Sequence, residues 1–459
     1  MEQIAKPHCG ARLDRLPDCR WHSAMFAMVA FGLLVCWSNA VGGLILAQLK
    51  VLGWTDNSTT ATFSAITTAG MFLGALGGGI IGDKIGRKNA FILYEAIHIV
   101  AMVVGAFSPN MTFLIASRFV MGVGLGALLV TLFAGFTEYM PGRNRGTWSS
   151  RVSFIGNWSY PLCSLIAMGL TPLISAEWNW RVQLLIPAVL SLIATVIAWR
   201  SFPESPRWLE SRGRYAEAEE VMRAIEERGI QQTGKPLPPV VIADDGKPPR
   251  AVPYSALLTG VLLKRVILGS FVLIAMNVVQ YTLINWLPTI FMTQGINLKD
   301  SIVLNTMSMF GAPFGIFIAM LVMDKIPRKT MGVGLLVLIA VLGYIYSLQT
   351  SMLLITLIGF FLITFVYMYV CYASAVYVPE IWPTEAKLRG SGLANAVGRI
   401  SGIAAPYAVA ILLNSYGVTG VFVLLGAVSI IVAIAIATIG IETKGVSVES
   451  LGIDAVTSK

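Results

Sequence analysis

The sequence predicts an all-α membrane protein with twelve transmembrane helices arranged as two pseudo-symmetric six-helix bundles. First, 56% of the 459 residues are hydrophobic and 12% are charged, against about a quarter charged in an average soluble domain, so the chain cannot cover its apolar surface with polar groups. Second, apolar stretches of about twenty residues, each long enough to cross a bilayer as a helix, recur twelve times. Third, one short basic loop occurs in both halves of the chain.

The repeated loop has the sequence GDKIGRK at Gly82–Lys88 and MDKIPRK at Met323–Lys329. Each copy stands between two long apolar stretches, one in either half of the chain. An internal repeat of this kind is typical of membrane proteins built from two related bundles. We therefore expect a linker between the sixth and seventh spans.

The order of segments along the chain follows from the apolar stretches. The first stretch is too long for a signal-peptide core and has no evident small-residue cleavage site, so we expect a retained span. The spans are predicted to begin near residues 24, 60, 89, 112, 148, 183, 264, 303, 331, 352, 391 and 419. They divide the chain into a tail (1–23), a six-helix bundle (24–200), a loop (201–263), a second six-helix bundle (264–440) and a second tail (441–459).

The loop between the bundles differs in composition from the rest of the chain. Its first part, Ser205–Arg228, is amphipathic, with Leu209, Met222 and Ile225 on its apolar side. A proline-rich connector follows over Lys235–Pro249. We therefore expect an amphipathic helix and then a linker.

Lysine and arginine are concentrated on alternate loops. The N-terminal tail and the loops after even-numbered spans are basic, whereas the odd-numbered loops contain only Lys50, Arg181 and Lys299. Because cytoplasmic loops of membrane proteins are enriched in these residues, both termini and the long central loop are predicted to be cytoplasmic. This distribution accounts for the net charge of +9 without a nucleic-acid partner.

Neither a metal centre nor an enzyme active site is predicted. The five cysteines are an odd number and indicate no disulfide framework. His8, Cys9, Cys19 and His22 cluster near the N-terminus, but their spacing fits no familiar zinc module. The three histidines stand apart from any credible nucleophile, so no catalytic residue and no cofactor is assigned.

Six motifs together resemble those of the major facilitator superfamily, within its sugar-porter and metabolite:proton symporter branches. They are Gly82–Lys88, Arg118 with Gly122, Gly124 and Gly126, Glu138 with Arg145 and Gly146, Pro203–Leu209, Glu380–Thr384 with Arg389 and Gly390, and Ile441–Gly445. A finer resemblance is to metabolite transporters of the enterobacterial inner membrane. It implies the major facilitator fold, a bacterial inner-membrane location and function as a monomer, with a small-molecule substrate, a proton and the lipid bilayer as partners.

The resemblance also implies a charge network that acts as a cytoplasmic gate. Pairs between carboxylates and arginines of the motifs would hold the two halves together and separate when the cavity opens inward. The alternative is that these are ordinary solvated charges. The gate is assigned to Asp83, Arg87, Glu138, Arg145, Glu204, Arg207, Asp324, Arg328, Glu380 and Arg389.

The substrate cavity is predicted from polar and aromatic residues within the spans, chiefly on the first, fourth, seventh and tenth helices, which line the cavity in this family. Arg118 and Arg399 stand out, because an intramembrane arginine is costly unless it is paired or faces water. The alternative for Arg399 is a packing residue bonded to backbone carbonyls. The cavity is assigned to Trp37, Ser38, Asn39, Arg118, Asn157, Trp158, Asn277, Gln280, Tyr281, Asn285, Tyr372 and Arg399.

Two departures from the sugar-porter pattern bear on substrate and coupling. Trp37–Asn39 occupy the place of the acidic residue that sugar porters carry in their first helix, and Ala275 and Met276 replace a pair of glutamines in the seventh. The stretch Asn285–Thr289 instead resembles the aromatic-acid symporter branch. A hexose is therefore disfavoured, and the usual proton site is missing.

Proton coupling is assigned to Glu95, the buried acid that remains, and to Arg118. Glu95 has His98 one helical turn away, and a buried carboxyl group can bind a proton near neutral pH. The alternative for Glu95 is a purely structural role. The sequence thus predicts an alternating-access carrier of one organic acid or sugar derivative, coupled to protons by symport. Two alternatives stay open, an uncoupled facilitator and a sensor that binds its metabolite without moving it.

Overall fold

The computed structural model describes residues 7–17, 19–141, 145–234, 236–240, 253–383 and 386–444. Within these ranges the chain is helical and contains no strand. Nine helical stretches of the described residues are long and apolar enough to cross a membrane, and the last of them holds two passes. Two further passes are formed by pairs of shorter helices. The described part of the chain therefore contains twelve membrane helices, α1–α12, as predicted.

The first six membrane helices form the N-bundle, in which α1 and α5 are interrupted. Interruptions free backbone groups from the helical ladder, and such groups are tolerated at membrane depth where protein surrounds them. The bounds are Arg20–Val35 and Gly42–Val51 for α1, Asn57–Ile85 for α2, Arg87–Ala106 for α3, Met111–Tyr139 for α4, Arg145–Asn157 and Ser159–Leu170 for α5, and Ala176–Ser201 for α6.

The other six membrane helices form the C-bundle. Its α10 ends in a π-helical turn, and α11 and α12 are divided at Gly417, whose φ of 64° breaks the helix. The bounds are Gly260–Thr293 for α7, Leu298–Met309 and Gly311–Val322 for α8, Arg328–Ser347 for α9, Met352–Cys371 followed by Tyr372–Tyr377 and Val378–Glu380 for α10, and Lys387–Ile439 for α11 and α12 together.

Most predicted span starts lie within a few residues of the observed ones, and α6 shows the largest difference. This helix begins at Ala176 rather than near residue 183. Trp178, Asn179 and Arg181 extend it beyond the apolar segment, because aromatic and long polar side chains suit the membrane–water interface. A hydropathy pattern therefore places the start too late.

The segment between α6 and α7 carries two surface helices, Pro206–Ser211 and Tyr215–Thr233, instead of the single amphipathic stretch predicted. Gly213, with φ of 72°, makes the turn between them. Their apolar side packs on the N-terminal helix Cys9–Asp14 and on α1. We call this end of the molecule the linker end. Residues 241–252 of the segment and the C-terminal tail from residue 445 lie outside the described residues.

Glycines allow α4 to pack directly on its neighbours. A Cβ atom at Gly122 or Gly126 would overlap backbone atoms of α2, and one at Gly124 would lie 2.9 Å from the backbone nitrogen of His98 in α3. Small residues at this spacing permit close helix approach in membranes. The packing brings the side chains of α3 and α4 up to α1.

The two bundles contact each other at the end opposite the linker. The amide Nδ2 of Asn57, at the start of α2, donates to Oδ1 of Asn414 in α11 at 2.6 Å. The amide Nδ2 of Asn305 in α8 donates to Oγ of Ser164 in α5 at 3.0 Å. The bundles are thus held together by hydrogen bonds on the side away from the linker.

Candidate functional site

A break in α1 places one serine between two other helices. Ser38 lies between Val35 and Gly42, where α1 is interrupted, and it is fully buried. Its backbone carbonyl accepts a hydrogen bond from Nη1 of Arg118 at 2.7 Å. Its hydroxyl oxygen lies 2.7 Å from Nε2 of His98. Ser38 therefore joins the guanidinium of α4 to the imidazole of α3.

The imidazole continues this connection to a buried carboxylate. Nδ1 of His98 lies 3.3 Å from Oε2 of Glu95, and both side chains are fully buried. The thiol of Cys36 donates to the other carboxylate oxygen at 3.6 Å. Histidine can carry a proton on either ring nitrogen. In His98 one ring nitrogen faces the hydroxyl of Ser38 and the other faces the carboxylate of Glu95. We call Glu95, His98, Ser38 and Arg118 the polar chain.

Cys36, Glu95 and His98 also carry side-chain atoms of the kinds that bind metal ions. The ligand atoms of Cys36, Glu95 and His98 lie within 4.8 Å of one another. Each already has a hydrogen-bond partner in the protein, either within the group or at Ser38. The polar atoms of the group are therefore satisfied by hydrogen bonds within the protein.

Arg118 is a buried cation whose hydrogen-bond partners are uncharged. Its residue is 2% exposed. Besides Ser38, it donates from Nε to Oγ1 of Thr67 at 3.4 Å, and its guanidinium lies 4.6 Å from the ring centroid of Phe63. These dipoles and the ring face offset only part of the cost of burying a charge. The site can therefore accept a negative charge.

Gly42 marks the point at which Arg118 meets the C-bundle. A Cβ atom there would lie 3.1 Å from Nη2 of Arg118 and 3.3 Å from Oδ1 of Asn285 in α7. The next residue, Gly43, packs on the backbone of α7, with its Cβ position 2.5 Å from the carbonyl oxygen of Ile284. The N-bundle cation and a C-bundle amide thus face the same small space.

The C-bundle contributes a second cation at the predicted position in α11. Nη1 of Arg399 is buried and has no hydrogen-bond partner among the described residues. A packing arginine bonded to backbone carbonyls would have this group satisfied. The neighbouring α7 amide is already engaged, since Nδ2 of Asn277 donates to the carbonyl of Leu273 at 2.7 Å. At least one guanidinium nitrogen of Arg399 thus lacks the carbonyl partner that a packing role would require.

Aromatic side chains meet across the two bundles beside these polar groups. The rings of Tyr160 in α5 and Tyr367 in α10 are 5.3 Å apart, and those of Trp158 and Phe310 are 6.3 Å apart. The indole nitrogen of Trp286 is buried without a hydrogen-bond partner among the described residues. Tyr160 was not among the predicted residues, because a tyrosine inside an apolar span carries no signal of which bundle it faces.

The remaining predicted cavity residues occupy three kinds of position. Asn157 donates to the carbonyl of Ser153 in its own helix at 2.7 Å. Trp37 is buried in the apolar core at the end opposite the linker. The third kind of position is a partly exposed one, which is occupied by Asn39, Gln280 and Tyr281.

Tyr372 lies elsewhere than predicted. It is fully buried in the core of the C-bundle, where its ring stacks on Tyr377 at 5.0 Å and its hydroxyl faces Gly332 of α9. It therefore packs within one bundle, and Tyr367 is the tenth-helix tyrosine that reaches the other. Because the two tyrosines are five positions apart, their side chains point to different faces of the helix.

The charged motif residues of the first half form the N-bundle cluster, made of Asp83, Arg87, Glu138 and Glu204. Arg87 donates from Nε and Nη2 to Oε1 of Glu138 at 2.9 and 2.7 Å, and from Nη1 to Asp83 at 2.6 Å. Its backbone N–H donates to Glu204 at 2.7 Å. Gly86, with φ of 96°, makes the turn, and a Cβ there would overlap the carboxylate of Glu204.

The second half repeats this arrangement in the C-bundle cluster, made of Asp324, Arg328, Glu380 and Glu442. Arg328 donates from Nε to Oε2 of Glu380 at 3.0 Å and from Nη2 to Asp324 at 3.1 Å. Its backbone N–H donates to Glu442 at 2.8 Å. Glu442 takes the place that Glu204 has in the first half, although the predicted gate set omitted it; its signal was the motif Ile441–Gly445.

Both clusters differ from the predicted gate in one respect, because each joins helices of the same bundle rather than the two halves. Arg207 pairs with Asp14 of the N-terminal segment at 3.3 Å, outside the N-bundle cluster. The guanidinium of Arg389 lies 5.1 Å from the ring centroid of Tyr254. The side chain of Arg145 lies outside the described residues.

Comparisons with known proteins agree with the fold and with the motifs. A family model described as "Sugar (and other) transporter" matches residues 22–454. The Escherichia coli (strain K12) protein YdjK, which is named as a metabolite transport protein, is 93% identical over 459 residues, 100% of both chains. The inner membrane metabolite transport protein YdjE of the same organism is 43% identical over 445 residues, 96% of this chain and 98% of that one.

The fold also matches a solved structure. The xylose transporter XylE from E. coli, in a partially occluded inward open conformation, has a TM-score of 0.73 with 17% sequence identity, over 93% of this chain and 100% of that one. At this identity the likeness concerns the fold alone. The proteins matched are transporters rather than enzymes, in agreement with the predicted absence of an enzyme activity.

Proposed function

Because this chain belongs to the sugar (and other) transporter family, we propose that it carries one small organic anion, an organic acid or an acidic sugar derivative, across the bacterial inner membrane. Transport is by alternating access between the N-bundle and the C-bundle and is coupled to proton symport. The predicted resemblance to the sugar-porter and metabolite-transporter branch is confirmed by the family match, and transport of a metabolite follows from it. That the substrate is an anion and that its transport is coupled to protons are proposals.

The observation that carries the anion assignment is the buried, uncompensated charge of Arg118. It faces Gly42 and Asn285 at the junction of the bundles, and Arg399 supplies a second guanidinium with an unpartnered nitrogen. Guanidinium groups bind carboxylates with two parallel hydrogen bonds. A carboxylate bound between the bundles would neutralise charge that the protein leaves unpaired, which a neutral hexose would not.

The polar chain supports the coupling proposal. A proton that binds at Glu95 or His98 changes the charge beside Ser38, and Ser38 holds Arg118 through its carbonyl. Coulombic interaction between groups this close inside a membrane protein is strong. Proton binding and anion binding would therefore favour each other. This arrangement takes the place of the acidic residue missing from α1.

The proposed orientation places the linker end in the cytoplasm, because the basic loops lie there. The bundles contact each other at the opposite end, which would then be the closed periplasmic side. The two charge clusters stiffen their own bundles, so that each rocks as a unit. The functional unit is proposed to be a monomer, since both bundles of one chain complete the site.

The test is flux into proteoliposomes with labelled hexoses, pentoses, sugar acids and aromatic monocarboxylates, with and without an inwardly directed proton gradient. Proton-driven accumulation of an acid, but not of neutral sugars, is expected. Equilibration that ignores the gradient would instead indicate the uncoupled facilitator. Saturable binding without flux would indicate the sensor.

A further inference from the structure

An open cavity of about 650 Å³ lies at the linker end of the N-bundle. It is bounded by the start of α1, the end of α6 and the surface helix Tyr215–Thr233. Its polar side carries Arg20, Arg228, Gln231 and Gln232. The described residues that line it include no carboxylate.

The two arginines of this cavity differ from the others on the same face. Arg12 and Arg15 pair with Glu226, whereas the side chains of Arg20 and Arg228 form no ion pair or hydrogen bond among the described residues. Two exposed and unpaired guanidinium groups at the mouth of one cavity produce a local positive potential. The cavity is therefore complementary in charge to an anionic group.

The cavity adjoins a narrow, mainly apolar crevice of about 40 Å³, which we call the groove. Met28 of α1 and Ile197 of α6 line both the cavity and the groove. The groove lies between α1, α3, α4 and α6, beside Phe31, Phe91 and Ala194, and Arg87 of the N-bundle cluster also lines it. Ile197 is 43% exposed on the lipid-facing side. A single molecule that carries an anionic group and an apolar chain could therefore contact the cavity with the first and the apolar surface with the second.

A neighbouring cavity of about 400 Å³ fits such a ligand less well. It shares Arg228 and is lined by Lys88 and Arg200, but also by Glu204 and Glu217. These carboxylates offset the basic side chains. The positive potential is therefore concentrated in the first cavity, above the groove.

We propose that this cavity and groove form a binding site for one anionic phospholipid. Arg20 and Arg228 bind the headgroup phosphate, and the amides of Gln231 and Gln232 donate further hydrogen bonds. One acyl chain packs on the exposed surface of Met28 and Ile197 at the mouth of the groove. Arginine pairs well with phosphate, and basic pockets between helices at the cytoplasmic face of membrane proteins bind anionic lipids. The bound lipid joins the surface helix Tyr215–Thr233 to α1 and α6.

The experiment is native mass spectrometry and thermal unfolding of the full chain in detergent, with phosphatidylglycerol, phosphatidylethanolamine or glycerol 3-phosphate added. Phosphatidylglycerol is expected to bind best and to raise the unfolding midpoint. Arg20→Gln and Arg228→Gln should each weaken phosphatidylglycerol binding about fivefold, since one basic residue near an anionic lipid contributes a factor of about this size to the affinity. Arg223→Gln is the matched control, because Arg223 lies on the same surface helix with its side chain 69% exposed and outside the cavity lining.

Two results would overturn the proposal. One is equal binding of phosphatidylglycerol by the wild type and both cavity variants, with the three proteins unfolding at the same midpoint in the absence of lipid. The other is binding of glycerol 3-phosphate as tight as that of the lipid, which would show that the apolar groove has no part. A third variant, Ile197→Asn, makes the exposed surface beside the groove polar and should reduce lipid binding while leaving the arginines in place.

Discussion

The hydroxyl oxygen of Ser38 lies 2.7 Å from Nε2 of His98, although the two residues are 60 positions apart and belong to different helices. The contact depends on the break in α1, which turns the serine toward α3 while its carbonyl accepts from Arg118 of α4. A single residue thereby links the ionisable pair of α3 to the buried cation at the bundle interface.

Ser38→Ala should uncouple transport from the proton gradient. The substitution removes the hydroxyl that meets His98 and leaves the carbonyl that holds Arg118, so substrate exchange should persist. We expect proton-driven accumulation to fall at least about tenfold, the loss of roughly one charge-assisted hydrogen bond. Accumulation and exchange in proteoliposomes measure this. Ser64→Ala is the control, since that hydroxyl is buried without a partner among the described residues; an equal loss there would contradict the prediction.

Gly42→Ala should impair substrate binding more than folding. The added methyl group would press on both Arg118 and Asn285, at 3.1 and 3.3 Å. A displaced guanidinium would lose about one hydrogen bond to a bound carboxylate, so we expect KM to rise about tenfold. Gly77→Ala is the matched control, because nothing lies within 4 Å of its Cβ position. Similar KM values for the two variants would show that Gly42 does not border the site.

Glu380→Gln should destabilise the C-bundle, whereas Asp324→Asn should not. Glu380 accepts two hydrogen bonds from Arg328, whose side chain is 6% exposed, but Asp324 is 91% exposed. Leaving a buried guanidinium poorly paired costs about 1–3 kcal/mol, and an exposed pair contributes about 0–1 kcal/mol. Thermal unfolding in detergent should show a midpoint several degrees lower for the first variant only.

Glu442 and Glu204 should give stability opposite dependences on pH. Burial opposes the charged form of Glu442, but the backbone N–H groups of Arg328 and Lys329 outweigh it and hold its pKa below the ordinary value. Its stabilising effect is thus present above the ordinary pKa of glutamate and is lost as pH falls through the lowered pKa. Burial instead raises the pKa of Glu204, so its contribution is present at low pH and is lost as pH rises through the raised pKa.

Unfolding midpoints between about pH 4 and pH 7 compare the two positions. Relative to the wild type, Glu442→Gln should lose stability at neutral pH and recover toward the wild-type value in acid. At neutral pH, Glu204→Gln should lose less stability relative to the wild type than Glu442→Gln does. The same pH profile for both variants would contradict the opposite shifts.

The fold could be predicted from the sequence because a bilayer allows few alternatives to long apolar helices. The site could be predicted only in part. Arg118, Ser38 and Asn285 carry polar groups in apolar spans, which is a local signal. The choice between Tyr367 and Tyr372 depends on which helix face meets the N-bundle, and no local pattern encodes that. For the same reason, the motifs identified the charges of the clusters but assigned them to pairs between the bundles.

The break in α1 is a second feature that hydropathy hides. The stretch around Trp37–Asn39 is apolar enough to read as continuous helix, yet the chain leaves the helix there and uses Ser38 as a connector. The connection between Glu95 and Arg118 therefore has no local signal in the sequence, whereas each of these two residues does.

The most direct test of the coupling account is transport by Glu95→Gln, measured in proteoliposomes as accumulation under an inward proton gradient and as exchange at equal pH. Glutamine keeps the size and hydrogen-bonding capacity of the side chain but cannot take up the proton. The account predicts exchange close to wild type with accumulation lost. Wild-type accumulation by this variant would contradict it, and would leave Glu95 with a structural role.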